Sequence, residues 1–156
     1  MANNKLSQLE QAVGADPHNA ELRHLLAAEY AEAGRYDSAK AEFLHAIALD
    51  PGAHVARFQL GLLLLTLGDP AGASRIWQPL EALGEEAPLW HFKHGLEALI
   101  RGELPTCRRE LGEGIARNAA NSPLNNDMRL ILTRIAGETA SVRTDFSLYG
   151  GSDTRH

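Results

Sequence analysis

The sequence "AGRYDSA" at residues 33–39 returns twice along the chain in altered form. It is followed by "LGDPAGA" at residues 67–73 and by "RGELPTC" at residues 101–107, each 34 residues after the previous copy. Every copy has glycine in its second place and a small side chain in its seventh. Glycine adopts the left-handed backbone conformation that ends many helices without a steric cost. The spacing therefore predicts a repeated pair of helices with a tight turn at each glycine.

Other positions hold the same 34-residue register and place the two helices of each repeat. The first helices are predicted over residues 20–33, 54–67 and 88–101, and the second helices over residues 36–49, 70–83 and 105–118. Pro79 lies late in one of the second helices and is expected to kink or end it, because proline lacks the backbone donor. A capping helix is expected to begin at an N-cap on Ser122, just before Pro123. Its apolar face would consist of Leu124, Met128, Ile131 and Ile135.

The pattern as a whole resembles the tetratricopeptide repeat family over about residues 5–136. The third copy departs from that pattern, since His94 and Gly114 stand at places that are usually apolar or alanine. The resemblance implies an all-α, right-handed superhelical stack of antiparallel helix pairs, with about three units, an N-terminal half repeat and a C-terminal capping helix. We predict a helical repeat domain at residues 1–136 and a C-terminal tail at residues 137–156. The best single copy carries Leu26, Ala27, Tyr30, Gly34, Tyr36, Ala39, Phe43, Ala46 and Pro51.

The resemblance also implies which residues line the concave surface of such a stack, namely the second, fifth, ninth and twelfth of each first helix. This spacing keeps them on one stripe of the helix. In the first repeat they are small or polar: Glu21, His24, Ala28 and Ala31. In the next two repeats they are large and apolar, and we predict that this apolar stripe binds a partner. Its residues are Val55, Phe58, Leu62, Leu65, Leu89, Phe92, Leu96 and Leu99.

Two interpretations of the apolar stripe remain open. Contiguous apolar patches of this kind usually mark interaction sites, which favours binding of a protein or peptide segment with apolar anchors. Alternatively, the last helix or the tail of the chain itself covers the stripe. The tail carries Phe146, Leu148 and Tyr149 close together, and a further hypothesis is that it docks in the chain's own groove or that of a neighbouring copy.

Family resemblance and motif content together favour a non-enzymatic adaptor or scaffold. No phosphate-binding glycine loop, metalloprotease motif or nucleophile elbow occurs in the sequence, so we expect neither enzymatic activity nor a cofactor. The alternative function is that of a bacterial secretion chaperone that holds an aggregation-prone client, because residues 56–61 and 87–104 also resemble the repeat core of such chaperones. Some members of the family clamp the C-terminal carboxylate of a chaperone with Lys, Asn and Arg side chains on their first helices. Such a carboxylate clamp is not expected here, since only Lys93 keeps a cation at the corresponding places.

Charge and composition narrow the environment and the partners. The net charge of −5 argues against nucleic-acid binding, which needs a basic patch. The longest apolar run, residues 60–68, is far shorter than the ~20 residues that span a bilayer, so no membrane insertion is expected. A single cysteine, Cys107, and a start without an apolar signal core favour a cytoplasmic location. The Ala/Leu/Gly/Arg-rich composition favours a bacterial source, and homo-oligomer formation stays open.

Three residues with reactive or metal-binding side chains are interpreted as structural. His91 and His94 are three residues apart and share a helix face, but two ligands do not make a zinc site. Packing or surface roles are therefore expected for both. Cys107 occupies a column that holds alanine in the other repeats, which indicates a small core residue rather than a nucleophile.

Overall fold

The computed structural model describes residues 2–137, in which eight α-helices and one 3-10 helix form and no strand occurs. These residues fall into two compact units, 2–69 and 70–137. The helices of the first unit are α1 (Ala2–Ala15), α2 (Ala20–Glu32), α3 (Tyr36–Leu49) and α4 (His54–Thr66). The helices of the second are α5 (Pro70–Trp77), the 3-10 helix (Gln78–Leu83), α6 (Pro88–Ile100), α7 (Leu104–Arg117) and α8 (Ser122–Ala136). The all-α helical repeat fold is therefore confirmed.

Turns of the same design end α2, α4 and α6, as the glycine spacing predicts. Gly34, Gly68 and Gly102 have φ angles of 78°, 82° and 81°, in the left-handed region. In each turn, the N–H of the residue after the glycine donates to the carbonyl four residues before the glycine, at 2.8 Å. Each of these hydrogen bonds satisfies a carbonyl that the end of the helix leaves without a partner.

In the first unit, α2 packs against both α1 and α3, and α3 also packs against α4. Small residues line the contact between α2 and α3, since Ala27 and Ala39 are fully buried. The Tyr30 hydroxyl donates a 2.6 Å hydrogen bond to Glu10 Oε2, which joins α1 to α2. Burial, this hydrogen bond and the Glu10 charge raise the pKa of Tyr30 to about 12. Asn19 begins α2 by accepting the Leu22 N–H at 3.0 Å.

In the second unit, α6 and α7 form the most extensive helix contact, and α8 packs on α7. Gly95 makes the close approach of α6 and α7 feasible, because a side chain there would lie 2.7 Å from Leu111 Cδ2. The predicted apolar face of α8 is buried as expected. Two buried asparagines join α7 to α8. Asn118 Nδ2 donates to Asn125 Oδ1 at 3.0 Å, and Asn125 Nδ2 donates to the Asn118 carbonyl at 2.7 Å.

Two helix boundaries show how local chemistry decides the details. The α-helix that precedes Pro79 ends at Trp77 and continues as the 3-10 helix, so the predicted early end is confirmed. The N-cap of α8 is Asn121, whose side chain accepts the Leu124 N–H at 3.1 Å. The prediction of Ser122 as the cap is therefore wrong by one residue, since Asn121 supplies a well-placed acceptor and Ser122 is already helical.

Apart from Gly137, the predicted tail lies outside the described residues, as does the hypothesis about its docking.

Candidate functional site

The predicted partner-binding residues of α4 are mostly removed from solvent. Phe58 and Leu62 have no exposed surface, and Leu65 is 3% exposed. Val55, in the first turn of α4, keeps partial exposure. The helix is consequently buried over most of its circumference, in agreement with a sequence that is apolar nearly all round. Among the four, Val55 is the residue that a partner could touch first.

The corresponding residues of α6 show the same gradient of exposure. Leu89 is half-buried, Phe92 and Leu96 have no exposed surface, and Leu99 is 3% exposed. The Phe92 ring lies against Gly114 of α7, where even a methyl group would overlap it. Phe92 thus has a packing role inside its own helix pair, and its role in partner binding stays a prediction.

The equivalent positions of α2 differ in size and polarity, as the sequence predicts. Glu21 is exposed, Ala28 is half-buried and Ala31 is fully buried. His24 Nε2 is hydrogen-bonded to Gln59 Oε1 on α4, and its ring lies 5.9 Å from that of Phe43. This part of the first unit offers hydrogen-bonding groups rather than apolar anchors.

A network of charged side chains surrounds Lys93 on α6. Its Nζ donates to Glu81 Oε1 at 2.9 Å and to Glu97 Oε1 at 3.0 Å, and only 7% of its side chain is exposed. Burial lowers the pKa of Lys93, but the hydrogen bonds that Lys93 donates to the two carboxylates, together with their charges, outweigh burial and raise the pKa overall. The Lys93 hydrogen bond in turn holds the pKa of Glu81 below its usual value, although burial opposes this. Lys93 is therefore already neutralised by the chain, which argues further against a carboxylate clamp.

The two histidines of α6 are engaged by neighbouring groups of the protein. His91 Nδ1 lies 2.7 Å from Glu110 Oε1, and His91 Nε2 lies 2.7 Å from the Glu85 carbonyl oxygen. His94 Nε2 lies 2.8 Å from Glu81 Oε1, and its ring stacks on Trp90 with centroids 3.8 Å apart. Among residues 2–137, no three His, Cys, Asp or Glu side chains converge as a metal-binding group.

Cys107 has the environment of a core residue. It has no exposed surface, and burial raises the pKa of its thiol to about 11 against the opposing charge of Arg108. A thiol with such a pKa is protonated near neutral pH and is a poor nucleophile.

The polar networks of α6 are what sequence reasoning missed. Lys93 and Glu97 are four residues apart on a helix, a spacing from which their ion pair could have been predicted. Glu81 is 12 residues from Lys93, and no repeated column of the sequence connects the two. The pair His91 and Glu110 does follow the register. It stands two repeats after Arg23 and Glu42, which form the same 19-residue pairing at 2.9 Å.

Helix pairs, repeated glycine turns and apolar stripe residues define a helical-repeat protein. A tetratricopeptide repeat family model matches residues 1–89, more than half of the chain. The chain therefore belongs to the tetratricopeptide repeat family. Repeats of this family generally mediate protein–protein interactions and are non-enzymatic.

A search of curated proteins finds no match to the chain. None of the helices within residues 2–137 has the length and hydropathy needed to cross a bilayer.

Proposed function

We propose that the chain is a non-enzymatic adaptor that binds a segment of a partner protein through apolar anchors on its repeat helices. The observation that carries the proposal is the change of side chains at matching positions. The stripe positions of α4 and of α6 hold large apolar residues, whereas those of α2 hold Glu21, His24, Ala28 and Ala31. A structural role alone does not require small or polar groups to be replaced by large apolar groups at all four positions.

The gradient of exposure supports the proposal that binding starts at the N-terminal ends of α4 and α6. Val55 on α4 and Leu89 on α6 are partly exposed, while the stripe residues that follow them are buried. We expect the partner to make its first contact at these N-terminal ends and to reach deeper residues only as the covering groups move. Each well-buried Leu or Phe anchor contributes ~1.5–3 kcal/mol of transfer free energy. The entropy of association offsets much of this, so we expect micromolar affinity.

The test compares stripe variants with control variants of exposed leucines. The immobilised chain captures partners from a lysate, and mass spectrometry identifies them. The affinity of one identified partner is then measured for the variants Val55→Glu and Leu89→Glu. Leu44→Glu on α3 and Leu130→Glu on α8 are the controls, since these leucines are 45% and 41% exposed and lie outside the stripe.

We expect each stripe variant to weaken binding by roughly tenfold or more, which corresponds to ~1.4 kcal/mol. The control variants should bind as the wild type does. Equal binding by stripe and control variants would show that the partner uses another surface.

The alternative, a secretion chaperone, differs in the state of the bound protein. An adaptor holds a folded partner, whereas a chaperone holds a client segment that is unfolded. Hydrogen exchange of the captured protein, alone and in the complex, distinguishes the two. A client that is exchange-protected only where it contacts the chain would favour the chaperone.

A further inference from the structure

Both ring nitrogens of His91 face hydrogen-bond acceptors. Nδ1 lies 2.7 Å from Glu110 Oε1 on α7, and Nε2 lies 2.7 Å from the carbonyl oxygen of Glu85. Glu85 belongs to the loop of residues 84–87 that joins the 3-10 helix to α6. Only 9% of the His91 side chain and 17% of the Glu110 side chain are exposed. One imidazole ring therefore ties the loop and α7 to α6.

The number of available donors makes this arrangement depend on a proton. An ionised carboxylate and a backbone carbonyl only accept hydrogen bonds, and a neutral imidazole has one N–H to donate. Both bonds form together only when the ring carries two N–H groups. Glu110 Oε2 also lies 3.6 Å from Arg109 Nη2, so the carboxylate faces a second cationic side chain.

Other charged groups near α6 have different arrangements. His94 has Glu81 as its acceptor and can donate from Nε2 while neutral. Glu81 is also bonded to Lys93, and Glu113 pairs with Arg117. The charged groups on the elements packed against α6, including the loop, are Arg75, Glu81, Glu85, Glu86, Arg108, Arg109, Glu110, Glu113 and Arg117.

We propose that His91 is a proton-operated latch that holds the loop of residues 84–87 to α6 and α7. The doubly protonated ring donates to Glu85 and Glu110 together, and the neutral ring releases one of them. The released loop is then held by short-range hydrogen bonds alone, such as that from the Ala87 N–H to the Gly84 carbonyl, and these bonds open more often without the latch. The latch is closed while the ring carries two protons and opens as the pH rises and the ring loses one of them.

Hydrogen exchange and nitrogen chemical shifts of the full chain test the latch. Measurements are made at one mildly acidic and one mildly alkaline pH, at both of which the protein stays folded. At the lower pH, the ¹⁵N shifts of His91 should show two protonated ring nitrogens. At the higher pH, protection factors of the Gly84 and Ala87 amides should fall roughly tenfold, because a charge-assisted hydrogen bond is lost. A neutral His91 ring at the lower pH, or equal protection at both, would overturn the proposal.

Glu110→Gln is the decisive variant. Its carboxamide can donate to Nδ1 of a neutral ring, which leaves Nε2–H free to donate to the Glu85 carbonyl. The loop should therefore stay protected at both pH values. His45→Gln is the control, because the His45 side chain is 59% exposed, and it should keep the wild-type pH response. A wild-type pH response in Glu110→Gln would also overturn the proposal.

Discussion

The aromatic ring of Phe92 occupies the space in which a side chain at position 114 would lie. A methyl group on Gly114 would overlap the ring and approach His91 Cβ to 3.2 Å. The matching places in the first repeat hold the smaller His24 ring and Ala46. Relative to the first repeat, Gly114 is therefore compensated by a larger residue on the facing helix. The third repeat fills this contact with side chains of different size and is not simply a degenerate copy of the first repeat.

Replacing Gly114 with alanine should destabilise the protein. Overpacking of a tight contact typically costs about 1–3 kcal/mol, which exceeds the helix-propensity gain of about 1 kcal/mol. Gly112→Ala is the matched control on the same helix, because no atom lies within 4 Å of its added Cβ. That variant should be up to ~1 kcal/mol more stable than the wild type. Denaturant unfolding measures both changes, and similar stabilities would contradict the packing argument.

Shortening the facing residue should relieve part of the strain. In the double variant Phe92→Leu with Gly114→Ala, the loss of stability should be smaller than the sum of the two single losses. Residues in direct contact show interaction energies of about 0.5–3 kcal/mol in such cycles. Additive losses would mean that the two residues do not share the space.

The burial gradient on α4 predicts unequal costs along the apolar stripe. Leu62 is fully buried, so Leu62→Ala should cost about 2–5 kcal/mol in the free energy of unfolding. Val55→Ala should cost less than ~1 kcal/mol, because Val55 is partly exposed and leaves no closed cavity. Thermal unfolding by circular dichroism measures both. A tolerated Leu62→Ala would indicate that the middle of α4 is open to solvent and free for a partner.

Features of the fold that depend on a few neighbouring residues can be predicted from the sequence, whereas contacts between distant residues are harder to predict. The helix ends at Gly34, Gly68 and Gly102 and the break at Pro79 follow from backbone rules that act over a few residues, and the sequence predicts them well. The burial of Phe58 and Leu62 depends on which other groups reach α4, and a stripe pattern alone does not contain this. The pairing of Lys93 with Glu81 likewise depends on how the 3-10 helix approaches α6.

The buried pair Asn118 and Asn125 should stabilise the attachment of α8. Asn125→Leu removes both hydrogen bonds between the pair and leaves the Asn118 amide without that partner, at a cost of about 1–3 kcal/mol. Asn126→Ala is the control, since Asn126 is exposed and accepts only a 3.3 Å surface bond from Arg129 among the bonds seen here. Hydrogen exchange should show lower protection throughout α8 in the first variant only. Equal protection in both would exclude a clamping role.

Cys107 should make stability fall at alkaline pH. Burial raises the pKa of its thiol from the ordinary 9.0 to about 11, and the nearby Arg108 charge lowers it only in part. The folded state therefore keeps the proton in a range where the unfolded chain releases it. This contribution to the free energy of unfolding is complete below about pH 9 and is lost as the pH rises towards about 11.

Cys107→Ala, which restores the residue found at the matching position 39, should remove this part of the pH dependence. Unfolding free energies measured across that range test the prediction, and native wild-type protein should react slowly with a thiol reagent near pH 8. Fast native labelling, or identical pH dependence in the two proteins, would show that the thiol is not held in its protonated form by burial.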